Sequence, residues 1–407
     1  MATTLDEAIA GVLRGRSPLG VETIAASDAP GRVLADPVVA PLPIPPFTNS
    51  AMDGYAVRAA DTARAPVVLP LCGDARAGLP LGSALAPGSC ARISTGAMVP
   101  AGADAIVRVE DTSPSGDASV AVGVTVEPGT DVRPEGDDVS AGTTLVLAGT
   151  VLRAGDLAAA AAAGCESVSV FRRPRVAVVG TGDELVPPGE PLGPGQIHDS
   201  NTPMLCALVT EAGGEVVAVY TRIADDREET RAAIAEAIEA ADLVLLSGGV
   251  SMGVHDHVRP ALGELGATER FWQVAIRPGH PTWFGVAADG TPVLGLPGNP
   301  ASAYSIFRLL GARLIAALGG RSGEPLRLEA VYRGPDVRKR EGMVQALRVS
   351  LATGEDGRPV ARPAGSGQRS HAISSLAGVD ALALVAADVT TLRDGDPLTV
   401  ECARSSV

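Results

Sequence analysis

Three glycine-rich segments, each following an apolar run, are the first places in this 407-residue chain where chemistry could sit. They are Gly180-Thr181-Gly182-Asp183-Glu184-Leu185 after RVAVV, Ser247-Gly248-Gly249-Val250-Ser251-Met252-Gly253 after DLVLL, and Leu296-Pro297-Gly298-Asn299-Pro300-Ala301-Ser302-Ala303 after PVLG. Glycine lets a ligand approach the backbone, and a helix behind such a loop offers N–H donors and the positive end of its dipole. That chemistry suits phosphate or another oxyanion. The plainer account is that each is a tight strand-to-helix turn; three of them at one sheet edge favour binding. None matches the GxxxxGK[ST] or GxGxxG patterns of nucleotide sites.

Carboxylates gather beside these loops: Asp183 and Glu184 after the first strand, Asp225 and Asp226 after EVVAVYT, and Asp256 beyond the second loop. Acids next to anion-binding loops would repel a phosphate unless Mg²⁺ or a similar hard cation lies between them. For Asp225 and Asp226 there is a simpler role, since one of them suits the N-cap of the following helix. His255-Asp256-His257 is weak as a metal motif because no third histidine or cysteine lies nearby; two surface histidines flanking an acid explain it better.

The elements that must position these loops follow from periodicity. Leu5, Ala8, Ile9, Val12 and Leu13 recur at helical spacing behind a Thr4/Glu7 capping box, with Pro18 as the stop. Residues 41–46, PLPIPP, read as a stiff extended linker. From there to about residue 140, APVVLPL, SCARIST, ADAIVRVE and SVAVGVTVE are short strands separated by Gly and Pro turns. TTLVLAG is another strand, followed by an Ala-rich helix ending near Gly164. RVAVVG is apolar throughout, as a strand buried on both faces should be. A helix opening at Asn201-Thr202-Pro203 and ending at Gly213, the strand EVVAVYT, a helix containing Ile234 and Ile238, and the strands DLVLLS and TPVLGL complete an alternating pattern. After Gly319-Gly320 strands return: LRLEAVYR, VQALRVSLA, DALALVAAD and PLTVECA.

The expected fold is therefore α/β plus β. It is a multidomain chain with a doubly wound, mostly parallel α/β domain over 172–319 and smaller β-rich domains. The expected division is 1–40 with 141–171 as a linking domain, 41–140 as a β-rich domain, and 320–407 as a C-terminal β domain. Ligands belong at the carboxyl ends of the α/β strands.

Composition narrows the function. The chain is 46% hydrophobic, enough for sizeable cores, and with only 3% aromatics those cores must rest on Ala, Val, Leu and Ile. A net charge of −14 argues against nucleic acid as a partner. It also means that an anionic ligand needs local arginines or a divalent cation to offset the field. Cys72, Cys90, Cys165, Cys206 and Cys402 are scattered without a C-x-x-C pair, which suits a reducing compartment. No basic-then-apolar leader and no charge-free span of about 20 apolar residues is read. The expected location is the cytoplasm, with no membrane span.

Longer motifs point to a family. Asn49-Ser50-Ala51-Met52-Asp53-Gly54-Tyr55-Ala56-Val57-Arg58 strongly resembles a signature of the molybdate insertases, or molybdopterin molybdenumtransferases. So does Arg92-Ile93-Ser94-Thr95-Gly96-Ala97, continuing through Val99-Pro100 to Gly102-Ala103-Asp104-Ala105-Ile106. The 133–142 segment with Glu135-Gly136-Asp137-Asp138 is similar to a third motif. GTGDEL, SGGVSMG, RPG and LPGNPASA resemble the pterin-binding domain, and 367–376 with Ser370-His371 resembles the last motif. The match runs in order from about residue 20 to 390.

That resemblance implies an enzyme that inserts molybdenum from molybdate into adenylylated molybdopterin and releases AMP, with Mg²⁺ or a similar divalent cation. Carried over by position, Asp53, Thr95, Asp138 and Glu184 are catalytic, with Asp53 and Asp138 as cation ligands. Gly182, Asp225, Ser247, Gly248, Gly249, Ser251, Asp256, Arg277, His280, Pro297, Gly298, Asn299 and Ser370 bind substrate. The resemblance further implies a homodimer whose site is shared between chains. Partners of the assembly would be other molybdenum-cofactor biosynthesis proteins or a peptide. Four positions depart from the family pattern: Gln273 stands where Lys is common, Pro278-Gly279-His280-Pro281 replaces P-G-K-P, Val254 replaces an acid, and Asp380 replaces Asn. The alternative is a gephyrin-like scaffold that anchors a partner's peptide. A weaker third reading, adenylylation of the pterin by the α/β domain alone, would leave the first half of the chain idle.

Overall fold

The computed structural model describes residues 2–223, 226–249 and 257–403, apart from the Arg222 side chain. The apolar run at RVAVVG becomes the second strand of a six-stranded sheet. Its strand order is Glu215–Ile223, Arg175–Thr181, Leu243–Ser247, Pro292–Leu296, Trp283–Val286, Thr268–Trp272. The first four run parallel, Trp283–Val286 runs antiparallel to them, and Thr268–Trp272 pairs antiparallel with Trp283–Val286. The TERFW and WFGV strands are not announced by the sequence; TERFW is a short edge strand with exposed Thr268, Glu269 and Arg270, and WFGV is a short, mostly buried strand inside it.

Alternate residues of the parallel strands feed two cores, because successive side chains leave opposite faces of a strand. Val176, Val178, Leu243, Leu245 and Leu294 pack with Leu205, Leu208, Val209 and Phe307 on one face. Ala177, Val179, Val244, Leu246 and Val293 pack with Ile234, Ala237, Ala261 and Leu262 on the other. Helices therefore cover both faces, as the doubly wound expectation requires. The run Pro300–Leu318 is long and apolar enough to cross a membrane by length and composition, but it is 83% buried within the protein, with Phe307, Leu310 and Leu314 in the core.

The first helix, Leu5–Leu13, has the expected capping box but ends ahead of Pro18, with Arg14 already extended. Its contacts run to the α/β part. Leu5, Ala8 and Val12 lie in the α/β core beside Val176 and Phe271, and Thr3 pairs with Val274. The linking unit instead has its own core of Leu34, Val38, Val146, Leu152, Ala160 and Val170, built from residues 29–40 and 145–170. The apolar face of the first helix is what sends it to the larger core.

Residues 54–122 form a six-stranded sheet in the order Ala105–Arg108, Gly54–Val57, Cys90–Ile93, Val67–Ala75, Ser119–Val122, Thr112–Pro114. Among the described residues, the hydrogen bonds of residues 44–139 stay within that segment. The C-terminal strands Val344–Thr353, Pro359–Pro363, Arg327–Tyr332, Pro397–Cys402 and Ala381–Val385 close into a ring, since the first also pairs with the last. Ile276–Arg277 adds to this sheet in parallel with Val344–Gln345 and so ties the α/β part to the C-terminal part.

Candidate functional site

The three glycine-rich loops follow Arg175–Thr181, Leu243–Ser247 and Pro292–Leu296, which are adjacent parallel strands, so they open at one edge of the sheet. A buried amide joins two of them. Asn201 Nδ2 donates to Ser247 Oγ at 2.9 Å and to the Gly298 carbonyl at 2.7 Å. Asn201 was read from sequence only as the start of a helix. Its own position is fixed by Asp199, whose Oδ1 accepts from the backbone N–H groups of Asn201 and Thr202. The third loop is held at Gly248, whose N–H donates to Leu296 O at 3.2 Å. Gly182 has φ 141, and a Cβ there would meet the Glu184 carboxylate at 2.5 Å, so the acid folds over bare backbone. Asp226 is the N-cap of Arg227–Ala240, accepting from Glu228 and Glu229 N–H. Asp225, Ser251 and Asp256, with the rest of 250–256, lie outside the described residues.

The 297–299 loop also faces the C-terminal unit. Asn299 Nδ2 donates to Ser370 Oγ at 3.3 Å, and Ala301 N–H donates to Ser370 O at 3.1 Å. Between the two units lies a cleft of about 980 Å³. Its walls include Arg277, His280, Pro297, Asn299 and Ser370, five of the expected substrate-binding residues. The walls also carry Arg338, Arg340 and Arg369, which the sequence reading did not select. Four arginines thus face one carboxylate, Glu341. None of the four arginines is in an ion pair with a described acid. In a chain of net charge −14, this is where an anion finds a favourable field.

Arg277 and His280 are positioned by a tight turn. Gly279 has φ 122, and a Cβ there would lie 2.5 Å from Ile306 Cδ1. Thr282 Oγ1 closes the turn by donating to Gly279 O at 2.6 Å. The His280 Nδ1 is 2.7 Å from Val274 O. A carbonyl only accepts, so Nδ1 carries the hydrogen and Nε2 is the ring atom left for another partner.

A second cavity, about 540 Å³ between Arg308, Arg313 and Glu401, differs in kind. Its main arginines already have acids: Arg308 with Glu211, and Arg313 with Glu401. It offers no comparable surplus of positive charge.

In the first half of the chain, Asp53 and Thr95 come together. Asp53 Oδ1 accepts from Thr95 N–H at 2.7 Å, leaving Oδ2 open, and both residues are exposed. Asn49–Ser50 pairs with Val132–Arg133, which carries the 134–138 loop alongside the Asp53 loop. Asp138 is anchored through its backbone N–H to Ile44 O at 3.1 Å, and its side chain is exposed. Among the described residues no group of three or more His, Cys, Asp or Glu is arranged to hold a metal. Mg²⁺ commonly takes only one or two carboxylates and completes its shell with water and phosphate oxygens, and two exposed carboxylates suit that role.

With this geometry in place, comparison with known proteins is informative. Residues 3–164 match the MoeA N-terminal region (domain I and II), 177–317 a probable molybdopterin binding domain, and 332–402 the MoeA C-terminal region (domain IV). The chain is 44% identical over 310 residues to molybdopterin molybdenumtransferase 2 of Mycobacterium tuberculosis, covering 74% of this chain and 75% of that one. It is 38% identical to the molybdopterin molybdenumtransferase of a Nostoc species, covering 91% and 86%. A crystal structure of a molybdopterin biosynthesis MoeA protein from Pyrococcus horikoshii superposes with a TM-score of 0.85 at 34% identity, covering 100% of both chains.

Proposed function

This chain belongs to the molybdopterin molybdenumtransferase family, and from that premise we propose that its basic cleft is where molybdenum is transferred to the pterin. It is a transferase of molybdenum cofactor biosynthesis; the scaffold alternative is not favoured. The observation that carries the reading is the convergence of Arg277, Arg338, Arg340 and Arg369 on one cleft of an acidic protein, beside the 297–299 loop.

The substrates of the proposed reaction are molybdate and adenylylated molybdopterin, and AMP leaves. Guanidinium forks match the oxygens of phosphate and of tetrahedral oxyanions, and they keep their charge throughout the working pH range. Arg277 and Arg369 would hold the anionic groups. The backbone of Gly298 and the Asn299 and Ser370 side chains would orient them. Asp225 and Asp256 would accept hydrogen bonds from the pterin's amino and ring N–H groups. Hydrolysis breaks a phosphorus–oxygen bond of the pyrophosphate link, and water supplies the new one. Asp53, held through one oxygen by Thr95 N–H, presents its other oxygen at a fixed angle for a water or a cation. Asp53 and Asp138 would hold a divalent cation, which would offset phosphate charge.

Two copies of the chain are the proposed working unit. The acids at Asp53 and Asp138 lie in a segment, 44–139, whose hydrogen bonds close on themselves among the described residues. A second copy would bring that segment to the cleft of the first. The four-part division expected from sequence is retained as a proposal, with the first helix moved to the α/β part.

The test is to incubate the protein with adenylylated molybdopterin, Mg²⁺ and molybdate, and to measure AMP and active cofactor. Both should appear together. Release of neither, by folded protein, would overturn the reading.

A further inference from the structure

One buried positive charge stands behind the cleft wall. Arg348 lies in the strand Val344–Thr353, with none of its surface exposed. No acid pairs with it among the described residues, and its Nη1 has no hydrogen-bond partner. The contrast is Arg313, the other buried arginine among the described residues, which has Glu401 at 2.8 Å with both side chains buried. A buried guanidinium without a counter-ion is costly, and removing it relieves a desolvation penalty that offsets the loss of its hydrogen bonds. Burial pulls the Arg348 pKa down to about 10, which still leaves it charged at neutral pH.

Its contacts show what that charge is attached to. Nη2 donates to Arg369 O at 3.2 Å, and Nε donates to Ser375 Oγ at 3.1 Å. Arg348 N–H donates to Gln368 Oε1 at 2.9 Å, and Gln368 Nε2 returns a bond to Arg348 O at 3.0 Å. Gln368, Arg369 and Ser370 all line the cleft, whereas Arg348 stands behind them. Ser370 in turn accepts from Asn299. A line of hydrogen bonds therefore runs from Arg348 through the 368–370 loop to the α/β loops.

We infer that Arg348 is a positioning residue for the oxyanion: it fixes the loop that presents Arg369 and Ser370, and its unneutralised charge adds to the positive potential behind that loop. An anion in the cleft is then the counter-charge that Arg348 lacks in the protein. This rests on the reading of the cleft as an oxyanion site. It goes beyond that reading in assigning a role to a residue that touches no ligand.

The test is calorimetric titration of molybdate alone into the full-length parent, Arg348→Met, Arg348→Lys and Arg277→Ala, with the anion-free Tm of each. Arg348→Met should weaken molybdate binding by about tenfold or more, as loss of a charge-assisted contact network does, while its anion-free Tm stays level or rises. Arg348→Lys, which keeps the charge but loses the fork, should fall between Met and the parent. If Arg277→Ala weakens binding and Arg348→Met does not, the inference is overturned and the oxyanion reading stands. If the parent binds no molybdate, or Arg277→Ala binds as the parent does, the oxyanion reading fails and the inference with it. Should Arg348→Met not fold, Arg348→Lys decides. Folded Lys protein with weakened binding supports the role. Parent-like binding overturns it, as does a fall in anion-free Tm that parallels the loss of affinity.

Discussion

Asn201 donates from one amide nitrogen to both Ser247 Oγ and Gly298 O, and so clamps two strand-end loops that are far apart in sequence. The amide is buried, and its Oδ1 has no partner among the described residues. Removing the donor would leave the buried Ser247 hydroxyl without this partner and free the Gly298 carbonyl. Asn201→Ala is expected to cost about 1–3 kcal/mol of stability, the usual penalty for an orphaned buried polar group. It should also raise the Km for adenylylated molybdopterin more than it lowers kcat. Denaturant unfolding and steady-state AMP release measure the two effects; an unchanged Km would remove the clamp from the account.

Gly279 sets the turn that presents Arg277 and His280. Its positive φ and the closeness of Ile306 leave no room for a methyl group. Gly279→Ala should destabilise by about 1–3 kcal/mol from overpacking, before any backbone strain is counted, and should weaken molybdate binding. A variant with parent stability would show that the turn relaxes freely.

How much of this was legible in the sequence depends on how local each feature is. The buried parallel strands were plain because residues 176–179 and 243–246 are apolar at every position, and the three loops were plain because glycine clusters follow them. TERFW and WFGV gave no such signal. Asp53 and Thr95 were chosen through the family motifs; their hydrogen bond spans 42 residues and no periodicity announces it. Arg338, Arg340 and Arg369 were overlooked because the cleft has walls from two units. Their charge is meaningful only once the 337–345 and 368–371 segments face the 275–281 turn. The packing partner of the first helix was not legible, because an amphipathic pattern shows that a face is buried but not against what.

Asp53→Asn keeps an oxygen for Thr95 N–H and removes the charge. Stability should change by less than about 1 kcal/mol, as exposed loop substitutions usually do. AMP release should fall at least about a hundredfold if the carboxylate handles a water or cation. Thermal unfolding and AMP assays together decide; parent-like turnover would remove Asp53 from the chemistry.

Divalent cation dependence is a separate expectation. Chelator should stop AMP release, and Mg²⁺ should restore it, because phosphate oxygens and the Asp53 and Asp138 carboxylates repel one another without it. Undiminished turnover in chelator would refute the cation role.

If the site is shared, inactive Asp53→Ala protein mixed with inactive Arg277→Ala protein should regain activity, since some mixed dimers hold one intact site. Light scattering checks the dimer, and subunit exchange must be verified with labelled chains. A monomer, or no recovery after exchange, would contradict the shared site.

Single-turnover AMP release from adenylylated molybdopterin, comparing the parent with the Arg277→Ala/Arg369→Ala double variant, tests the basic cleft most directly. The account predicts at least a hundredfold slower release in the double variant, about 3 kcal/mol of lost transition-state stabilisation, with little change in Tm. Equal rates in the two proteins would contradict it.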